Sequence, residues 1–469
     1  MTPDEPLLSP ARRHLLGGLA AAALAPSAAL ADPTGSGPAE AAIRRMIASG
    51  LENEKALRRA FPHGKLDGSS PYVVSQRHGA WLASAPAKLG LAARLDEETV
   101  RLRADAARGL APPAFIVRAV LEGQRDTFGL PADAAAALER QSAALEALRP
   151  APGAGVWRLP GGPAYYALRL RCTTGSDLAP AALDARVTAA TKALLARADR
   201  LLTGLGLARG SVGARLRALK AKGGYADDDA GRTRAVSAMN AALDRLRPRL
   251  AEWFNPPFEA QAAVRRMSPA DELAHRRGYR EPPFYYPDLS AVTDRPAWTL
   301  TTVAYHETVP GHVLQLRRQA LADPHPLQLR YAAGYSEGWA IHAEGLADRM
   351  GLLSPVEQLG YIQSVLFRLA RVTTDIGLHL HRWERARAIR YLQETVGFEL
   401  FFPFDVEVDR YCVEPAGFAG DALVALELGR MGGKLQPAAA RGFHDAVLNH
   451  GPLSAEALAA VANPSLRGA

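Results

Sequence analysis

The run A-A-L-D-A-R-V-T-A-A-T-K-A-L-L-A-R-A-D-R-L-L-T-G-L, Ala181 to Leu205, sets the fold class. Leu194, Leu195, Ala198 and Leu202 recur at three- and four-residue intervals, the spacing that lines one face of a helix. Ala, Leu and Arg, which make up most of the run, are strong helix formers. The same spacing extends outward through Ala41–Phe61, Glu97–Gly109, Pro113–Thr127 and Ala132–Leu148, and returns in Ser336–Met350, Pro355–Glu394 and Pro437–Leu448. No sandwich or barrel rhythm and no fixed-period repeat interrupts it. The sequence therefore predicts a mainly α chain, one large helical unit with at most a small β element. Arg277–Pro296, rich in Pro, Tyr and Asp, reads as an irregular crossing. Trp298–Tyr305 after it reads as a short strand or as the opening of a helix.

The 469 residues suffice for one large or two ordinary domains, and 48% apolar residues supply a core. A net charge of +8, from 56 basic and 48 acidic residues, is scattered rather than gathered into a run, so nucleic acid is not an expected partner. Cys172 and Cys412 fit neither a thiolate metal motif nor a disulfide scaffold. Near the start, S-P-A-R-R-H-L-L-G-G at Ser9–Gly18 places two arginines before the apolar stretch Leu15–Ala25, the pattern of a twin-arginine export signal. Ala29-Leu30-Ala31 suits cleavage before Asp32. The expectation is a signal over residues 1–31 and a periplasmic chain over 32–469, with a helical part at 32–297, a metal-site part at 298–469 and no membrane span after signal removal.

The chemistry centres on Tyr305-His306-Glu307-Thr308-Val309-Pro310-Gly311-His312. The two histidines stand six apart, where an unbroken zinc helix has four and residues six apart diverge. Pro310 and Gly311 offer a kink or bulge that returns His312 to a metal. Taken alone, the pair reads equally well as a chance or supporting pair. Glu337 changes the balance, because two histidines and a carboxylate are a standard ligand set for catalytic zinc. It lies in Gly334-Tyr-Ser-Glu-Gly-Trp-Ala-Ile-His-Ala-Glu344, a helix with Ser336 available as its cap. The plainer reading of Glu337 is a first-turn acid favoured by the helix dipole. Glu307 would then be the base, taking a proton from activated water.

With H-E-x-x-P-G-H go S-P-Y-V-V-S at Ser70, P-P-A-F-I-V at Pro112, Y-Y-A-L-R-L-R-C-T-T at Tyr165, E-G-W-A-I-H-A-E at Glu337, R-V-T-T-D-I-G-L-H at Arg371 and F-H-D-A-V-L at Phe443. Together they resemble the bacterial domain-of-unknown-function family 885, grouped with gluzincin-type metallopeptidases and similar in outline to carboxypeptidase Taq. The resemblance implies a helical fold around Zn2+, with His306, His312 and Glu337 as ligands, Glu307 as base and a peptide or amide as substrate. Two departures stand out. Val313 replaces a second histidine after His312, and the Pro415–Gly429 segment is rearranged, with Leu426 where a tyrosine is expected.

Arg371, Asp375 and His379, four apart, form one polar ridge in which Asp375 orients His379 and His379 or Tyr411 steadies an oxyanion. An interhelical salt-bridge ladder accounts for the same ridge. Arg371 and Arg410 are candidate substrate-binding groups, Arg410 through a two-point contact with a terminal carboxylate. Glu344 is a candidate supporting carboxylate, and His444 reads as a family residue or a packed helix histidine. Two other functions compete with zinc hydrolysis: an exported metal- or peptide-binding protein without turnover, and a metal-free hydrolase using carboxylates alone.

Overall fold

The computed structural model describes residues 37–65, 68–83, 90–150 and 153–466; the expected signal at 1–31 lies outside them. Mainly α is what it shows, with three short strands as the β element. The described residues form two compact units. One comprises residues up to 47, 220–364 and 423 onward, and the second comprises 48–219 and 365–422. Neither is a continuous stretch of chain, and residues on both sides of position 298 build the first.

In the second unit the helices Leu91–Ala107 and Ala132–Glu146 bury Leu91, Leu95, Ala134, Ala137 and Leu138 together with Leu82. The His78–Ala83 and Ala114–Arg125 helices come close at Gly79 and Gly123. A β-carbon on Gly79 would stand 2.6 Å from the Gly123 α-carbon, so neither position admits a side chain. The run that opened the sequence reading is the Pro180–Gly204 helix, burying Leu183, Val187, Ala198 and Leu202. A further core gathers Phe367, Ala370, Leu378, Leu392, Phe404, Val408 and Cys412. The expected run Pro355–Glu394 is two helices, Pro355–His379 and Arg385–Thr395. Between them Arg382 adopts a positive φ of 56°, a conformation outside the right-handed helix. Cys172 and Cys412 are both free thiols.

In the first unit the Asp229–Leu246 helix begins at Asp228, whose carboxylate accepts from the Gly231 amide. It packs against the Ala297–Glu307 helix, where the Tyr305 hydroxyl donates to the Ala242 carbonyl at 3.0 Å. The Trp298 stretch is thus helical. The irregular crossing contains most of a sheet: β1 (Ala263–Val264), β2 (Tyr279–Glu281) and β3 (Phe284–Tyr286), in the order β1-β3-β2. β1 runs parallel to β3, pairing Val264 with Tyr285, and β2 runs antiparallel to β3, pairing Arg280 with Tyr285. Asn240 holds β1 to its helix by accepting from the Val264 amide and donating to the Val264 carbonyl, both at 2.9 Å. Among the described residues no helix is long and apolar enough to cross a membrane.

Candidate metal centre

The six-residue spacing is resolved by breaking the helix. Ala297–Glu307 ends at the base candidate, and a new helix, His312–Ala322, starts at the second histidine. The turn is pinned at both ends. The Gly311 amide donates to the Tyr305 carbonyl at 3.1 Å and the Val313 amide to the Thr308 carbonyl at 2.9 Å. Trp339 Nε1 donates to the Pro310 carbonyl at 2.9 Å. A β-carbon on Gly311 would fall 2.0 Å from the His306 carbonyl oxygen, so only glycine lets the chain double back here. His306 and His312 then meet edge to face, ring centroids 4.8 Å apart.

Glu337 enters from the first turn of the Tyr335–Arg349 helix. Its two oxygens stand 3.5 Å from His306 Nε2 and 3.4 Å from His312 Nε2, and one donor atom from each of the three residues falls within 4.8 Å of the others. Tetrahedral ligation at about 2.1 Å places neighbouring donors about 3.4 Å apart, so the two carboxylate–imidazole separations fit an ion. The outer nitrogens have other work. His306 Nδ1 donates to Glu344 Oε1 at 2.7 Å, and Glu344 also accepts from the Ser364 hydroxyl at 2.9 Å. His312 Nδ1 lies 3.1 Å from the Ser336 hydroxyl, which donates to Gln315 Oε1 at 2.9 Å. Ser336 therefore holds a ligand ring and is not the helix cap, a position taken by Gly334. His312 Nε2 is buried, with the Glu337 carboxylate at 3.4 Å, longer than a good hydrogen bond. A buried ring nitrogen turned toward a carboxylate, with the other nitrogen held at a hydroxyl, suits a metal ligand. The three residues fit a divalent ion of the zinc kind, and with 41% of its side chain exposed, Glu337 leaves the cluster open to solvent.

The electrostatics favour a neutral His312 beside ionised carboxylates. Burial, helped by the charge of Arg280, pushes His312 down to about 4. Burial works to raise Glu337, but hydrogen bonds and charge from both histidines hold it well below the ordinary carboxylate range. Glu307 is also raised by burial and lowered further by Arg280, His306 and His312, and ends below its ordinary value. Its carboxylate accepts from Arg280 of β2. On β3, burial and then the charge of Glu307 lift the Tyr285 phenol above its ordinary range, which puts its hydroxyl within the field of the base. Sequence reasoning missed Arg280, Tyr285 and Ser364. The first two sit in the Tyr- and Pro-rich crossing that lacks any period, although its Tyr-Arg-Glu-Pro-Pro-Phe-Tyr-Tyr stretch holds a hairpin signal of two aromatic-rich strands around a turn.

The structure thus brings together His306, Glu307, His312, Glu337 and Glu344. The remaining candidates apart from His444 belong to the second unit. His379 is fully buried with both ring nitrogens on backbone: Nδ1 accepts from the Val156 amide and Nε2 donates to the Tyr411 carbonyl, each at 3.0 Å. Asp375 does not take the ring proton as expected. It accepts instead from the Tyr166 hydroxyl at 2.6 Å and the Ala416 amide at 3.0 Å, while His379 Nε2, 3.5 Å from Asp375, lies closer to the Tyr411 carbonyl. Arg371, Arg410 and Tyr411 gather around Glu407. His444, in the first unit, stacks on Phe254 at 4.5 Å with Nδ1 bonded to the Trp253 carbonyl, a packed helix histidine.

A family model described as bacterial protein of unknown function (DUF885) matches residues 129–461, which contain every residue of the centre. The chain belongs to that family. No curated protein matches this DUF885 chain. Two proteins are among the solved structures that share its fold. One, a "putative lipoprotein" from Colwellia psychrerythraea, is 22% identical with a TM-score of 0.71, covering 94% of this chain and 89% of that one. The other, a protein so described and of unknown function from Shewanella oneidensis, is 14% identical with a TM-score of 0.62, covering 92% and 88%.

Proposed function

We propose that this DUF885 chain is a zinc-dependent hydrolase of peptide or amide bonds, of the metallopeptidase kind. The observation that carries the reading is the convergence of His306 Nε2 and buried His312 Nε2 on the two Glu337 oxygens, at 3.5 and 3.4 Å. His306, His312 and Glu337 would hold the ion, which supplies Lewis acidity to a carbonyl oxygen and to water. Glu344 fixes the His306 tautomer so that Nε2 keeps its lone pair inward. Glu307, ionised and adjacent to a ligand, accepts a proton from water and returns it to the leaving amine. Arg280 steadies Glu307 in that orientation, and the Tyr285 hydroxyl is the phenol available to a developing oxyanion where Leu426 offers none. Export to the periplasm behind a signal ending at Ala31 belongs to the same proposal. Arg12-Arg13 supports it, as does the lipoprotein description of the Colwellia and Shewanella proteins.

A second reading, an exported metal- or peptide-binding protein without turnover, is favoured by one feature. The Arg280 guanidinium pairs with Glu307 and depresses its basicity. Metal analysis by inductively coupled plasma mass spectrometry, on the chain from Asp32 and on His306→Ala, His312→Ala and Glu337→Ala, tests the ion. Near one zinc per wild-type chain is expected, lost in each variant. A folded wild type that takes up no zinc ends the hydrolase reading and the metal-binding form of the second. Glu307→Gln, assayed on a broad peptide library, separates them: the hydrolase keeps its metal and loses turnover, whereas the binding protein has no turnover to lose.

A further inference from the structure

The edge strand β2 sets an arginine at the mouth of the metal centre with half of its fork unused. In the order β1-β3-β2, the outer side of β2 carries no further strand among the described residues. Arg280 pairs with Tyr285 across the antiparallel ladder, and directly opposed residues project from the same face, so the guanidinium and the phenol approach Glu307 together. The bond to Glu307 is made by Nη1. Nε and Nη2, the edge that grips a carboxylate by two parallel bonds, donate to no other residue among those described, and neither nitrogen is buried. The side chain is 31% exposed, beside a Glu337 that is itself open to solvent. Arg295, the other cation acting on Tyr285, stands 3.9 Å from Asp288.

Water satisfies such an edge in the free chain and yields to a better acceptor. What marks this one is its place. Two hydrogen bonds of about 2.9 Å laid across the guanidinium put a second carboxylate about 6 Å from that of Glu307. A water that gives its proton to Glu307 lies within about 3 Å of it, and one residue advances a chain by about 3.8 Å. Because Glu307 returns the proton to the leaving amine, the leaving residue lies on the side of Glu307, which is also the side of Arg280. We propose that Arg280 is the specificity residue of this centre, its Nε–Nη2 edge receiving a carboxylate borne by the residue on the leaving side of the bond that is cut. The substrates are then peptides whose leaving residue is anionic, through its own terminal carboxylate or through an acidic side chain. The bond that is cut rests on the hydrolase reading, whereas the carboxylate contact depends on Arg280 alone. Nη1 stays on Glu307, so one guanidinium aligns the base and the substrate with each other.

Isothermal titration of the wild-type chain equilibrated with zinc compares three uncleavable ligands, built on acetyl-alanyl-alanine with CH2 in place of the last amide N–H. The first ends in the free carboxylate, the second in a carboxamide, and the third in a carboxamide with aspartate as its last residue. The neutral second ligand binds about tenfold or more weakly than the first or the third, as loss of a charge-assisted pair dictates, and the tighter of those two identifies the source of the carboxylate. Arg280→Gln abolishes the preference while leaving the neutral ligand within about twofold of wild type, and Arg280→Lys, which keeps the charge without the planar edge, falls between. A neutral ligand bound as tightly as both acids, no binding of any of the three, or an undiminished preference in folded Arg280→Gln overturns the proposal. The comparison in wild type needs no variant to fold. The hydrolase reading fails separately, by zinc content: a zinc-free chain that still prefers a carboxylate through Arg280 ends that reading and keeps this contact.

Discussion

Replacing Glu344 by alanine should cut zinc affinity by about ten- to hundredfold while every ligand stays in place. Glu344 is 1% exposed, takes the His306 Nδ1 proton at 2.7 Å and receives the Ser364 hydroxyl at 2.9 Å. The hydrogen bond to a buried carboxylate is of the charge-assisted class, worth about 1.5–3 kcal/mol, and at 1.4 kcal/mol per decade that is about one to two decades of affinity. Two effects make up the loss. The ring is freed to take the tautomer that protonates Nε2, and the imidazole loses the negative partner that raises its donor strength. Glu344→Gln keeps an acceptor oxygen without the charge and should lie between wild type and alanine. Competition with a chromophoric zinc chelator reads the affinities, and circular dichroism checks the fold. A folded Glu344→Ala chain whose zinc affinity stays within about twofold of wild type would refute the idea that this carboxylate tunes a ligand.

Tyr285→Phe should lower turnover by about 10²–10³ with zinc content unchanged, the cost of losing one oxyanion donor; unchanged turnover assigns the phenol to packing. Gly311→Ala, forcing a methyl to 2.0 Å from the His306 carbonyl, should cost about 1–3 kcal/mol in urea unfolding and release the metal, and an equally stable, zinc-loaded variant contradicts the turn geometry. Burial pushes His379 and His444 down to about 4 from 6.5. Because both are depressed in the folded state, each contributes stability that is present above pH 6.5 and is lost as pH falls toward 4, about 1.4 kcal/mol per pH unit per histidine between those limits. His444→Gln should flatten that slope in chemical denaturation followed from pH 7 to 4, and an unaltered slope removes His444 from the acid response.

The helical class was legible because three- and four-residue spacing over Ala181–Leu205 has one cheap solution in water, a helix with a buried stripe. The meeting of His306, His312 and Glu337 was legible for a chemical reason, since two histidines and a carboxylate are a standard ligand set. Its local geometry was not. Six-residue spacing says only that one straight helix fails, and whether the chain kinks or restarts depends on Trp339 and Gly311, residues tied to the turn by contacts between helices. The polar ridge of Arg371, Asp375 and His379 was visible as a ridge, yet His379 and Asp375 are held largely by backbone groups at Val156, Tyr411 and Ala416, which carry no sequence signature. The same holds for Glu407, which reads as one acid among several in Asp405–Asp409 until burial singles it out.

The restart of the chain at His312 means that the three ligands come from three separate helices, so the cluster exists only where all three have docked. An ion held there recognises the native state and finds little to bind in the unfolded chain, which makes it a clasp as well as a reagent. At a hundredfold excess over its dissociation constant such an ion adds about 2.7 kcal/mol to the folded side of the balance. If zinc is that ion, its scarcity would be felt first as a less stable protein.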